Sequence, residues 1–545
     1  MQQETIASVD ATIGGKIQCT VRKTHVGAQL GGGLYTVEAG DDKLLCQAGS
    51  VETTNAAHMD ESLRPMVAHL GTIPYYSGKA DNERINLSVI ANYRADDGRI
   101  GQSRRNPSSG TPVHFVSDLT QWEREKQYRV IIGKTTSGDA LVSLVNRSFK
   151  EFPQTEGVDD GSGNEALHEA WFGQNGSAKT IAALQRLSLR LCQHNSIGAL
   201  LLDVKGDLQG KPFRGHGGYT FDFYEMLRSA GREPKIYPLK EVAVDGVGYF
   251  LDKLAAWIEG EINTTLDKAE AIVYRVRDRL IPDEQRTLAL TDEFAGKVIA
   301  CLVEVGPRCF AKGGQDKFAS IASDEPKYQK KLMRDLSQMT GKWSISKVVE
   351  NAFNGDVVVL DVQCRDQKEI LTEVIGRIRS KAKSDWKGKN EKYGKLANTI
   401  VFLDEAHRWV PQNDEEKDGK LASSIKRGLR ETRAYGVAWT IVSQSMAEIS
   451  KEVLKQCHTK YFGRNLGIGS DRRHLEDILG REGVEKYEML SSSGRFFFMA
   501  VGRDVNIGTG SSTIDFFTFD GDSTKAIIEA NPHIEFRRGG SVANG

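Results

Sequence analysis

Apolar and polar positions change their rhythm near residue 150, and that change divides the chain. Before it, KIQCTV (16–21), LYTVE (34–38), KLLCQA (43–48), YRVII (128–132) and ALVSLV (140–145) are short, rich in β-formers and separated by Gly, Asp and Asn clusters. Such runs bounded by turn formers predict strands, and their spacing predicts a small barrel or sandwich over 1–150. The stretch EFPQTEGVDDGSGNEA (151–166) is polar and Gly-rich and reads as a linker or surface loop.

Beyond it, wholly apolar runs alternate with amphipathic ones. IGALLLDV (197–204), DVVVLDV (356–362), TIVFLDEAH (399–407) and AWTIVSQ (438–444) suit strands buried on both faces, and TIAALQRLSLRL (180–191) suits a helix. Strand and helix in alternation predict an α/β fold with a parallel sheet. Charge-rich helical pattern such as LDKAEAIVYRVRDRL (266–280) interrupts it. The expected organisation is a β-domain over 1–150, the first part of an α/β core over 151–250, a helical insertion over 251–350, the rest of the core over 351–520 and a tail over 521–545. The last ten residues, FRRGGSVANG, are expected to be disordered.

Length supports this division, because 545 residues exceed what one core usually holds. Lys+Arg and Asp+Glu are both 73, so net charge points to no partner and a nucleic-acid surface has to be a local patch. Seven scattered cysteines with no C-x-x-C argue against a zinc site and against a complete disulfide framework. The start MQQETIASVDATIGG has neither the basic nor the apolar region of a signal peptide, and no apolar run approaches the roughly 20 residues of a membrane helix. A cytoplasmic protein with no membrane association is expected.

Candidate chemistry begins at GQNGSAKT (173–180), one residue away from the phosphate-cradling pattern G-x-x-x-x-G-K-[ST]. Gly173, Asn175, Gly176, Ser177, Ala178, Lys179 and Thr180 are the expected nucleotide-binding residues, with Ala178 where the pattern has glycine. Alanine takes helical torsions easily, so Ala178 is expected at the helix start in ordinary helical geometry. Lys179 would meet the β- and γ-phosphates of ATP, and the Thr180 hydroxyl would bind Mg2+. IVFLDE (400–405) ends a strand in two carboxylates: Asp404 is placed to hold Mg2+ and Glu405 to orient and polarise an attacking water. In LLDVKGDL (201–208), Asp203, Lys205 and Asp207 read equally as a capped turn or a functional one. The run RIRSKAKSDWKGKNEKYGK (377–395) is the clearest basic patch, either a solvated surface or a phosphate-contacting one. His407, in the tetrapeptide DEAH, reads as structural.

GQNGSAKT, LLDVKGDL, IVFLDEAHRWVP (400–411), RETRAYGVAWTIVSQ (430–444) and KYFGRNLG (460–467), in that order, resemble the HerA/FtsK branch of RecA-like P-loop ATPases, and HerA most. VIIGKTTSGDALVSLVNRSF (130–149) also resembles the end of the small β-barrel that precedes the HerA core. The resemblance covers about 130–210 and 355–510 and is poor over 1–125 and the insertion. It implies a RecA-like core with an N-terminal barrel, a homo-hexamer with ATP sites between subunits, and double-stranded DNA in the pore. It also implies Lys179, Glu405, Gln444 and Arg433 as catalytic residues, with Gln444 sensing the γ-phosphate and Arg433 reaching the neighbour's site; Arg430 and Arg464 are alternatives to Arg433. HerA-type translocases or helicases work with a partner nuclease or other effector enzyme, in DNA end processing or antiviral defence. A slowly hydrolysing, nucleotide-gated ring scaffold is the alternative of a different class. A conjugation-type DNA pump shares the core, but coupling proteins usually carry membrane helices.

Overall fold

The computed structural model describes residues 4–536, apart from 14, 27–29, 56–80, 102–104, 124, 137–139, 147–166, 195, 209, 216–217, 311, 363–366, 387–396, 413–418, 493, 495, 506 and 508–512. The linker read at 151–166 and the tail from 537 lie outside the described residues.

Alternation of buried and exposed positions builds the first unit. In KIQCTV, Ile17, Cys19 and Val21 point inward while their neighbours stay at least partly exposed. Strands β1 (Thr5–Ile13), β2 (Lys16–Val21), β3 (Leu34–Ala39), β4 (Asp42–Asn55), β5 (Asp81–Tyr93), the short β6 (Ile100–Gly101) and β7 (Pro112–Phe115) form one antiparallel sheet in the order β2-β1-β7-β3-β4-β5-β6. Pairing of β2 with β5 closes it into a six-stranded barrel, with β6 appended outside the closure. Closure removes the sheet edges that would otherwise invite association.

The hairpin β8 (Arg129–Thr135) and β9 (Leu141–Val145), expected with the barrel, joins the other sheet instead. Its partner strands there are far away in sequence, which strand periodicity alone does not reveal. The remaining strands are β10 (Glu169–Phe172), β11 (Gly198–Asp203), a ribbon of β12 (Phe213–Arg214) and β13 (Thr220–Phe221), β14 (Lys235–Pro238), β15 (Val242–Ala243), β16 (Trp343–Ser344), β17 (Val357–Asp361), β18 (Thr399–Leu403), β19 (Val437–Ser443), β20 (Thr459–Phe462), β21 (Phe497–Gly502) and β22 (Thr513–Thr518). The large sheet runs β14-β17-β11-β18-β19-β10-β20-β21-β22-β8-β9. It is parallel from β14 to β20 and antiparallel beyond.

The central strands are buried throughout, and each divides its side chains between two cores. Leu200, Leu202, Val401 and Leu403 pack with the helices at Ile345–Phe353, Gln367–Trp386 and Gly419–Thr432. Ala199, Leu201, Ile400 and Phe402 pack with the helix Lys179–Gln193. Helices on both faces of a parallel sheet explain the uninterrupted apolar runs.

The insertion leaves the core after β15 and returns through β16, which pair with each other at its neck. Its helices, from Val247–Ile262 to Glu325–Asp335, enclose a core of their own around Phe250, Ile258, Val276 and Leu302. The segment expected as a tail holds a docked helix, Ser523–Ala530, whose Ile527 is fully buried. Asn531 fixes it by exchanging hydrogen bonds with the Ile131 backbone at 2.7 and 2.9 Å. No helix among the described residues is long and apolar enough to cross a membrane.

Candidate nucleotide site

Strand β10 ends at Phe172, and the chain turns through Gly173 (φ 156°) and Gly176 (φ 81°) into the helix that starts at Lys179. A Cβ on Gly173 would lie 2.5 Å from Ser177 Oγ, so this turn closes only around glycine. Ala178 corrects the expectation of helical torsions: it sits at φ 60° and ψ 22°, in the left-handed region. The glycine of the pattern is therefore a backbone requirement, and alanine bears a cost of about 1–2 kcal/mol there. First-turn N–H groups of a helix lack intrahelical partners and favour anions. Ser177 Oγ, buried beside them, also has no hydrogen-bond partner.

In the sheet, β19 lies between β10 and β18, so the ends of these three strands bring GQNGSAKT, Gln444 and the Asp404–Glu405 pair together. Thr180 Oγ1 donates to Asp404 Oδ1 at 3.3 Å, and the Glu405 N–H donates to the same oxygen at 2.9 Å. The Trp409 indole N–H holds the Asp404 carbonyl at 3.2 Å. Glu405 is itself left-handed, at φ 47° and ψ 47°. Gln444 Nε2 donates to the Glu405 carboxylate at 3.0 and 3.3 Å. The turn after Gln444 is fixed by Asp471, which accepts from the Met446 and Ala447 N–H groups at 2.8 and 3.0 Å.

Burial sets the charges here. It pushes the Asp404 carboxyl up, against the lowering effect of Lys205. It also lowers the Lys179 ammonium, against the pull of Glu405 and Asp404. For Glu405 burial again works upward, but the Lys205 hydrogen bond and charge, with Lys179 and Gln444, outweigh it and hold the carboxyl below its usual range.

The Lys205 contact is the feature sequence reading left open. Asp203 caps the turn by accepting from the Gly206 and Leu208 N–H groups at 2.8 and 3.0 Å, and Lys205 projects from that turn to bond Glu405 Oε1. The capped-turn reading of LLDVKGDL is thus seen directly, and the turn also delivers Lys205 to the Glu405 carboxylate. His407 Nδ1 stands 3.4 Å from Glu405 Oε2. A lysine after a strand-ending aspartate was the available signal, but its direction depends on how β11 and β18 pair.

Arg433 is not brought to this cluster. It lies in the turn before β19, at the opposite end of the sheet's strands from the P-loop, with its guanidinium 3.1 Å from His458 Nε2. Arg430 meets Glu452 at 3.5 Å. Arg464, the other alternative, is beside the P-loop, where its carbonyl accepts from the Gln174 N–H at 3.3 Å. In the basic run, Arg377, Arg379 and Lys381 meet Asp245, Glu431 and Asp385 at 3.5, 3.6 and 3.0 Å. That helical half is an ion-paired surface; 387–395 lie outside the described residues.

No family model matches this chain, and no curated protein does. Among solved structures, VirB4 of Thermoanaerobacter pseudethanolicus is 13% identical, covering 73% of this chain and 98% of that one at a TM-score of 0.40. The bacterial conjugative coupling protein TrwBdeltaN70 is 13% identical, covering 74% and 91% at 0.36. The genome packaging NTPase B204 from Sulfolobus turreted icosahedral virus 2, in complex with AMPPCP, is 13% identical, covering 65% and 98% at 0.29. Superpositions at these scores are loose, so the fold stands on strand order and on what the strand ends carry. With a strand between the P-loop strand and the carboxylate-bearing one, helices on both faces, a closed barrel ahead and a helical insertion, the chain has a RecA-like P-loop NTPase fold.

Proposed function

We propose that this chain hydrolyses ATP with Mg2+ and works as a homo-hexameric double-stranded DNA translocase or helicase of HerA type, beside a partner nuclease or other effector enzyme in antiviral defence or DNA end processing. The observation that carries the ATPase reading is one cluster: Thr180 on Asp404 at 3.3 Å and Gln444 on Glu405 at 3.0 Å, at adjacent strand ends next to Lys179.

In this reading the loop N–H groups of 175–180 and Lys179 cradle the phosphates. A hydroxyl and a carboxylate oxygen 3.3 Å apart are the donor types a small hard cation takes, so Thr180 and Asp404 would hold Mg2+. Bound there, it would neutralise phosphate charge. Glu405 orients water and accepts its proton as oxygen bonds to the γ-phosphorus and the bond to the β–γ bridging oxygen breaks. Gln444 donates to the γ-phosphate. Arg433, remote from its own P-loop, serves the neighbouring subunit's site in a ring. The HerA resemblance supports the ring, the duplex and the partner.

Left-handed strain at Ala178 favours a second reading, a slowly hydrolysing nucleotide-gated scaffold that assembles or regulates an effector. Glu405→Gln tests the shared basis. ATP binding and ring formation should persist while phosphate release is lost; loss of ATP binding would contradict the assignment of the carboxylate pair.

A further inference from the structure

The Glu405 carboxylate is engaged from several sides. A carboxylate offers about four lone-pair directions. Oε1 takes the Lys205 ammonium and Gln444 at 3.3 Å; Oε2 takes Gln444 at 3.0 Å and faces His407 at 3.4 Å. An attacking water needs one of these positions. Gln444 directly precedes a turn fixed by Asp471 and His407 is two residues from Glu405 in the chain, whereas Lys205 reaches across from the turn after β11 on a flexible stem.

Lys205 is the partner best able to leave. Its side chain is 37% exposed, while Glu405 is 1% exposed. It also feels the charges of Asp404 and Asp207, and Lys179 feels it, so it stands within electrostatic range of the P-loop lysine. A nucleoside triphosphate brings a charge of about −4 to that loop, and an ammonium is a point charge that exchanges partners readily.

We infer that Lys205 is a nucleotide-responsive latch: it ties down Glu405 when no nucleoside triphosphate is bound, and the γ-phosphate of a bound one draws it away and frees the carboxylate for water. This rests on the nucleotide-site reading above and makes Lys205 a positioning residue. Release of Glu405 is then coupled to nucleotide binding by a contact within the chain.

A double-mutant cycle tests the latch without relying on hydrolysis. Thermal midpoints are compared for wild type, Lys205→Met, Glu405→Ala and the double variant, without nucleotide and with saturating ATPγS and Mg2+, with ATPγS binding measured separately. The two substitutions should be non-additive without nucleotide and additive with it. Lys205→Met alone should leave phosphate release at saturating ATP no slower than wild type, because the bound nucleotide has already opened the contact. Additivity without nucleotide, or equal non-additivity in both states, would overturn the latch. Lower turnover in Lys205→Met would overturn it too, by making Lys205 a direct helper of the reaction. Binding of ATPγS with no phosphate release by any variant would sink the ATPase reading alone, since the cycle still decides the latch. Absence of binding would overturn both.

Discussion

Ala178 carries a backbone cost that glycine would not. Relief of left-handed strain is worth about 1–2 kcal/mol, and glycine returns roughly 0.4–1 kcal/mol of that through its looser unfolded chain. Ala178→Gly should therefore raise the thermal midpoint slightly and leave ATPγS affinity equal or tighter. A lowered midpoint would show that the methyl group packs usefully and that the strain is compensated. Glu405 is the second left-handed residue of the cluster that is not glycine. Strain gathered at one site is a mark of function more than of folding. Held below its ordinary value of 4.5, Glu405 adds stability that is present above that pH and is lost as pH falls through its depressed folded value. Asp404, raised by burial, works in the opposite direction: its ionisation opposes folding as pH rises from its ordinary 3.8. The motif residues were legible because local spacing places them on a loop and at strand ends. The Ala178 torsion and the Lys205–Glu405 contact were not, since one depends on loop closure and the other on strands paired across the fold.

Among the elements, the doubly buried strands were the most legible. GALLLD, VVVLD and TIVFL are apolar apart from the terminal Asp203, Asp361 and Thr399, which only a sheet covered on both faces requires. The hairpin β8–β9 was legible as strands but not in its place, because alternation fixes which face is buried and not which edge is joined. The helix at Ser523–Ala530 was hidden by its shortness, although Asp522 caps it by accepting from the Lys525 N–H at 3.2 Å. In the turn before β19, Arg433 lies at the strand ends away from its own P-loop, so its proposed role needs a second subunit. Arg433→Ala and Lys179→Ala should each be inactive alone and should recover part of the activity when mixed, through hybrid sites. No recovery at any ratio, in rings shown to exchange subunits, would exclude Arg433 as the finger.

At the scale of the molecule, a small β-domain, a two-faced core and a helical insertion were legible from changes in hydrophobic rhythm, and the resemblance singled out a barrel over a sandwich. How they dock was not. Gln47 of the barrel donates to Asp515 at 3.0 Å, and Asp515 also meets the buried Lys486 at 3.3 Å, a polar contact between segments more than 400 residues apart that no local pattern announces. With a net charge of zero and an ion-paired helix at 377–386, the proposed duplex binding does not follow from overall charge or from that helix. Such binding would depend on phosphate contacts and weaken with salt. The decisive measurement is phosphate release from Mg-ATP by wild type and Lys179→Ala, with and without linear double-stranded DNA, at low and moderate salt. Turnover that DNA stimulates, that salt weakens and that Lys179→Ala abolishes is the predicted result; turnover unchanged by DNA, or surviving in Lys179→Ala, would contradict it.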